Sequence, residues 1–532
     1  MMEEEVKHHK GGSSGSGRGL VQLLFVVSVV LCLVLYAPPA FVRTPYSYYR
    51  SSTTDFIAGV VDHPPPVPSG DGGEGEVDVD LDNEVGSPCS RMRNNSICCD
   101  RRDFNTDVCF MAGDVRTDAA SLSLLLMSQS HADAAGEDEE KEEQQEEERI
   151  RPYTRKWERH IMARVQEMRL IHQEEEEEEQ SKHDHTSRCD VRHDAPLLVM
   201  TAGGYTGNLF HAFSDGFVPA WVTSQHLRRR VVLGVLSYNP WWAGTFSHII
   251  AGLSAHDVVD LLHDKRTHCF PGAIVGTRFH GILAVDPKRL KDNKSIVDFN
   301  SFLAKSYHHP HPPQDKDVDH HHPRDKDVDH PHHHPHHHPN NKEDKEKRRR
   351  PRLGIVSRKG TRVIENEKAV AQLAESVGFH VEILETANGL PLSATYATVS
   401  ACDALVGVHG ADLTKFLFLP PGASFTQIAP LGVSPIATDC FGKPSQKMGL
   451  HYDQYEVRGH ESSLVRKYPI NDDVIADPEK AKRNKGWNFV AQVYLGGQNV
   501  SLDLGRFRQT LKRMHARALL LPPSSSSSEQ HH

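Results

Sequence analysis

Positive charge is in deficit in this chain. Its 532 residues carry 61 Lys and Arg against 71 Asp and Glu, a formal net charge of −10, which argues against nucleic acid as a partner. The nine cysteines contain no Cys-x-x-Cys spacing, so no zinc finger or zinc ribbon is encoded. Asp-x-Asp occurs only at Asp78/Asp80/Asp82 and in the repeated segments around Asp315 and Asp325. All of these lie in low-complexity sequence, where carboxylates cannot form a fixed cage, and no metal site is expected from them.

A long apolar run occurs once, at Leu20 to Tyr36, 17 residues without a charge. That length is at the short end for a membrane span, and Ala37-Pro38-Pro39 is a poor cleavage site. Residues 20–37 therefore read as an uncleaved signal-anchor, with a cleaved signal peptide as the alternative. Lys7, Lys10 and Arg18 precede it, which places the tail 1–19 in the cytoplasm and the remainder in a lumen. Beyond the run, Cys89, Cys98, Cys99, Cys109, Cys189, Cys269, Cys402 and Cys440 form an even set suited to an oxidising compartment, with the pairing open. Asn94, Asn293 and Asn499 each head an N-glycosylation tripeptide.

Composition divides the rest. Residues 38–88, rich in Pro, Gly, Ser and Asp, predict a flexible stem. An N-terminal α/β domain is expected over 89–305. In it, Trp157, Ile161, Val165 and Met168 at helical spacing predict one amphipathic helix over Tyr153 to His172. From Pro196 apolar runs alternate with helical patterns: Leu197–Thr201, the helix bearing Phe210, Phe213 and Phe217, Val231–Leu236, Ala273–Gly276 and Ile282–Val285. Residues 306–350 are dominated by His, Pro and charge and predict a disordered insertion. Its histidines could capture zinc or nickel, which leaves a lumenal metal-binding protein as a rival reading. Over 351–521 the order strand, helix, strand, helix, strand, strand predicts a βαβαβ unit of the doubly wound type, followed by the apolar run Val490–Leu495 and a tail helix Leu504–Leu519. Residues 522–532 predict a disordered tail.

In such a sheet, ligands sit outside the carboxyl ends of the strands. The basic loop Arg358-Lys-Gly-Thr361-Arg362 follows the first strand of the second domain, and His409-Gly410 follows the third. A 3-2-1 order would leave these loops on one edge without making them neighbours. Arg358, Arg362 and Thr361 are candidates for holding phosphate oxygens, together with Gly410, Thr414 and Lys415 of the turn after His409. In the first domain Gly203-Gly204-Tyr205-Thr-Gly207-Asn208 follows a strand and precedes His211 and Asp215. Gly204, Tyr205, Gly207 and Asn208 would form a loop facing a cleft between two Rossmann-like halves.

Several ordered blocks resemble glycosyltransferase family 61: Gly113-Asp-Val-Arg116, Arg151-Pro-Tyr-Thr-Arg-Lys156, Gly203 to His211 with Asp215, His268-Cys-Phe-Pro271, Ser357-Arg358 with Arg362, Gly407-Val-His-Gly-Ala411, and Gly486-Trp487 with Gln498. The resemblance implies a Golgi type II membrane enzyme of GT-B type that transfers a pentose, xylose or arabinofuranose, from a UDP-sugar to xylan with inversion, without an obligatory metal or cofactor. The first half would hold the acceptor and the second the donor. Asp215 is ranked first as catalytic base, with His211 and His409 as alternatives and His409 also as a diphosphate donor. An N-glycan β-1,2-xylosyltransferase, an N-acetylglucosaminyltransferase, or a catalytically silent scaffold in a Golgi glycosyltransferase complex are the other readings the family allows. Three positions depart from its usual pattern: Asp412 and Lys415, where the family reads Gly and Asn, and Asn499, where it reads Asp.

Overall fold

The computed structural model describes residues 80–128, 147–174, 189–308, 350–385 and 391–521. The apolar run at 20–37, most of the stem, the His-rich tract 309–349 and the tail 522–532 lie outside the described residues. Among the described residues no helix is long and apolar enough to cross a membrane.

Ten strands make the first sheet: β1 (Ser96–Asp100), β2 (Val108–Asp118), β3 (Ser123–Ser128), β4 (Glu147–Ile150), β5 (Met168–Glu174), β6 (Val191–Arg192), β7 (Leu197–Thr201), β8 (Val232–Leu236), β9 (Val259–Asp260) and β10 (His268–Val275). Their order is β4-β5-β3-β2-β10-β7-β8-β9, with β1 on β2 and β6 on β10. The pairs β10–β7, β7–β8 and β8–β9 are parallel, whereas β2 runs antiparallel to β10 and begins a mixed extension in which β3 and β5 are parallel. β7 and β8 are buried along their whole length, as strands covered on both faces must be.

The second sheet contains β11 (Arg352–Ser357), β12 (His380–Glu385), β13 (Ala404–Val408), β14 (Ser424–Ala429) and β15 (His451–Glu456), all parallel, in the order β12-β11-β13-β14-β15. The expected 3-2-1 order is thus corrected: β13 lies directly beside β11, and the strand order reverses between them. Such a switch point is where loops diverge and a crevice opens. One face of this sheet, with Leu353, Ile355, Val406 and Val408, is covered by Phe507, Leu511 and Met514 of the tail helix Leu504–Ala518. The other face, with Val356, Leu405 and Phe425, joins a core that also contains Phe213, Phe217, Phe299 and Leu303 from the first half. Phe213 meets Phe418 edge-on at 6.0 Å, and Asn300 Nδ2 donates to the Leu417 carbonyl at 2.7 Å.

Four sequence expectations change here. Tyr153–His172 is not one helix: only Arg159–Met162 is helical, and Met168–Glu174 is a strand between β3 and β4. Met168 and Leu170 are buried while Arg169 and Ile171 are half-buried, a period of two that the shorter helical spacing of Ile161 and Val165 obscured. Ile282–Val285 forms a loop, its Leu283 buried without a strand partner. The apolar run Val490–Leu495, assigned to no element from sequence, is helical, with Val490 and Tyr494 buried four apart. Order begins earlier than the predicted stem boundary, because Leu81, Asp82 and Glu84 are buried. The carboxylate of Asp82 is fixed by Arg278 at 2.6 Å and is an ion-pair partner, not part of a low-complexity tract. Cysteine pairing is Cys89–Cys98, Cys99–Cys109 and Cys189–Cys269, which leaves Cys402 and Cys440 as thiols.

Candidate active site

Two groups of polar side chains meet where the halves join. The first lies after β7. Gly204 takes φ +65°, and a Cβ there would stand 2.6 Å from the Tyr153 ring, so only glycine lets the turn close on that tyrosine. Asn208 caps the helix that follows by accepting from the Phe210 amide at 2.9 Å, whereas Gly207 sits at the exposed tip. The helix then widens into a π turn, Ala212–Phe217, that carries Asp215 inward.

Asp215 is buried and fully engaged. Its Oδ2 accepts from Arg155 Nε at 2.6 Å, from the Tyr153 hydroxyl at 3.0 Å and from His211 Nδ1 at 2.7 Å. Burial by itself would raise this carboxyl, but the His211 hydrogen bond and the Arg155 charge outweigh it and hold Asp215 below the usual carboxylate range. A carboxylate so held is a weak base and a firm anchor. Because it only accepts, the His211 proton sits on Nδ1 and the lone pair on Nε2. Arg155 also pairs with Glu158 and lies 5.3 Å from the Tyr205 ring centre. The Tyr205 hydroxyl donates to Glu158 Oε2 at 3.0 Å; burial and that charge push it up to about 12.

The second group lies after β11 and β13. Arg358 Nη1 reaches Asp412 Oδ2 at 3.4 Å, and it fits only because residue 410 is glycine: a Cβ there would be 2.4 Å from Nη1. Arg362, in left-handed backbone at φ +56°, donates to the His409 carbonyl at 3.0 Å and leaves its Nε buried without a partner. Burial, aided by Arg358, pushes this guanidinium down to about 10. The Thr414 hydroxyl is likewise buried and unpartnered. Lys415 is buried, its pKa lowered by burial against the opposing pull of Asp412, and it forms no ion pair with any described residue. Three cations thus face one carboxylate, with donors in reserve. Thr361 contributes its carbonyl, which accepts from Arg358 Nε at 3.3 Å.

His409 is buried, and its Nδ1 lies 3.1 Å from Gln427 Oε1. The Gln427 amide nitrogen must face the Ala437 carbonyl, to which it donates at 2.9 Å, so its oxygen faces His409 and fixes the ring proton on Nδ1. Nε2 is therefore an acceptor, and the expected role of His409 as a hydrogen-bond donor to diphosphate does not fit this tautomer. Burial, reinforced by Arg362 and Arg358, pushes His409 down to about 4 despite the Gln427 hydrogen bond.

Rings join the two groups. Phe210 touches His211 at 5.1 Å and Phe441 at 5.5 Å, and Phe441 touches His409 at 5.5 Å. Sequence reading missed Arg155, Tyr153, Gln427 and Phe441. Arg155 and Tyr153 stood inside one of the blocks above, but nothing in their spacing tied them to Asp215, 60 and 62 residues away. Asn499 lies against the basic loop, where its Oδ1 accepts from Val363 N at 3.1 Å and its Nδ2 reaches Glu365 at 3.4 Å. Asn94 and Asn293 are exposed, as a glycosylated residue must be; half-buried Asn499 is engaged by the fold.

A mixed α/β protein with cations clustered at a strand switch point, joined through aromatic rings to a His–carboxylate pair, is consistent with a glycosyltransferase. The Glycosyltransferase 61 family model matches residues 209–426. The chain is 35% identical over 439 residues to the xylan glycosyltransferase MUCI21 of Arabidopsis thaliana, covering 82% of this chain and 83% of that protein. It is 33% identical to the beta-1,2-xylosyltransferase XYXT1 of Oryza sativa, over 78% and 83% of the two chains. With the alpha-1,3-arabinosyltransferase XAT2 of the same species it shares 30%, over 79% of this chain and 64% of the other. The chain belongs to glycosyltransferase family 61.

Proposed function

We propose that this protein is an inverting pentosyltransferase that moves xylose or arabinofuranose from a UDP-sugar to xylan, as a single-pass type II protein of the Golgi membrane. The observation that carries it is the set of half-buried Arg358 and Arg362 with buried Thr414 and Lys415, in which cations and donors outnumber the acceptors around them. A diphosphate supplies the missing negative charge and oxygens. The names of the relatives support xylan as acceptor and a pentose as the transferred unit. Three disulfides support an oxidising lumen. The two sheets are read as the two halves of a GT-B-type enzyme, acceptor on the first and donor on the second.

In this reading the base is His211, and Asp215 orients it; the order expected from sequence is reversed because Asp215 is held as an anchor. The acceptor hydroxyl oxygen bonds to the anomeric carbon while the bond from that carbon to the β-phosphate oxygen breaks. The hydroxyl proton passes to His211 Nε2, and UDP leaves with the electron pair, held by Arg358, Arg362 and Lys415. The arginines and lysine neutralise the leaving group, so no metal or cofactor is assigned a step. Asp412, against Arg358, removes one of the three positive charges, and this favours a second reading in which the protein binds UDP without turnover.

The test offers the full-length chain, in solubilised membranes, UDP-xylose, UDP-arabinofuranose and UDP-N-acetylglucosamine with xylo-oligosaccharide or N-glycan acceptors, with and without EDTA. Mass spectrometry should show one pentose added to the xylo-oligosaccharide in both conditions. UDP binding without any transfer supports the silent reading, and transfer to the N-glycan alone refutes the xylan acceptor.

A further inference from the structure

Two large aromatic side chains stand exposed beside the His211 group, and nothing in the chemistry above uses them. Phe104 is 64% exposed and Trp157 37% exposed, and their rings lie within 11° of parallel with centroids 6.3 Å apart. The rings are therefore offset and nearly parallel, and each keeps exposed area on which a ligand can stack. The pair is not incidental to a mobile loop. Lys156 N donates to the Asn105 carbonyl at 2.8 Å, and Lys156 Nζ donates to the Arg101 carbonyl at 3.0 Å, so the two loops are bonded together. An Asx turn at Asp103, whose Oδ1 accepts from Asn105 N at 2.7 Å, fixes the backbone next to Phe104. Trp157 itself lies between Arg155, which holds Asp215, and Glu158, which holds the Tyr205 hydroxyl.

We propose that Phe104 and Trp157 form a stacking platform for the backbone of a β-linked polysaccharide, one or more sugar units away from the unit that reacts at His211. The proposal rests on the glycosyl-transfer reading and extends it to a polymer-binding subsite. A pyranose in a β-linked chain presents an apolar face of axial C–H bonds to either side. A flat, rigid, exposed aromatic surface matches that face and is sequence-tolerant along a repeating polymer. The platform would therefore favour acceptors long enough to reach both the reactive site and the aromatic rings.

The full-length chain is tested as the Phe104→Ala/Trp157→Ala double variant beside Phe104→Tyr/Trp157→Phe, with UDP affinity as a check on folding. For a xylohexaose acceptor the alanine variant should raise KM about tenfold, while kcat, the KM for the UDP-sugar and the KM for a xylobiose acceptor stay as in the wild type. The variant that keeps aromatic rings should behave as wild type. Equal KM changes for long and short acceptors, or no change for either, overturn the platform. Affinity electrophoresis through gels cast with soluble xylan or with mixed-linkage β-glucan separates the two ideas. Retardation of wild type but not of the alanine variant in xylan supports both. The same difference in β-glucan alone keeps the platform and overturns the xylan acceptor. Absence of retardation in every gel overturns the platform even where transfer is observed.

Discussion

At the scale of single residues, the site is divided between groups that hold charge and groups that hold geometry. His211→Ala should lower kcat at least a hundredfold, within the usual range for a lost general base, while calorimetry finds UDP binding unchanged. Arg362→Ala should instead weaken UDP roughly tenfold to a hundredfold, because its buried Nε and charge would act on the diphosphate. His409 adds a dependence on pH. The unfolded chain takes up a proton on this ring below about 6.5, whereas the folded protein resists until about 4. Below the first value the unfolded state binds more protons, so stability falls as pH drops through that window and is unaffected at pH 7. Denaturant titrations at pH 7 and pH 5 should show a larger loss for the wild type than for His409→Gln.

At the scale of elements, the loops after β11 and β13 work as a pair. Gly410→Ala should weaken UDP binding by displacing Arg358 and also lower the melting temperature, since φ +157° is a backbone conformation that residues with a Cβ rarely adopt. Calorimetry and a thermal melt separate those two effects. Much of the second sheet was legible, because fully apolar five-residue runs such as Ala404–Val408 leave one reading for a buried parallel strand. Its strand order was not, since nothing local distinguishes a crossover to the left from one to the right. The first sheet was harder. Met168–Glu174 lies between a parallel partner, β3, and an antiparallel one, β4, neither adjacent in sequence, so tertiary pairing overrode the helical spacing before it. At the site, Gly204, Asp215, His211, Arg358 and Arg362 were all visible as residue types. What the sequence could not convey was that Asp215 is already committed to Arg155, a contact 60 positions apart.

At the scale of the whole molecule, the two sheets share one buried core in which Phe213 and Phe299 lie with Leu405 and Phe418. Tyr307 stacks on Tyr396 at 4.4 Å across the same boundary. Unfolding should therefore be a single calorimetric transition. Reduction of the three disulfides, all of them in the first half, should move that whole transition down instead of splitting it. The same shared core also bears on turnover. Enzymes whose halves are joined by a slender linker can swing apart to admit a nucleotide and release it. Here Phe213, Phe418 and Asn300 behave as a weld, and swinging would tear a dry aromatic interface. In the proposed reaction UDP would then leave without the halves parting, past the Arg358–Asp412 contact, and the pace of each catalytic cycle would be set by how fast that one ion pair yields.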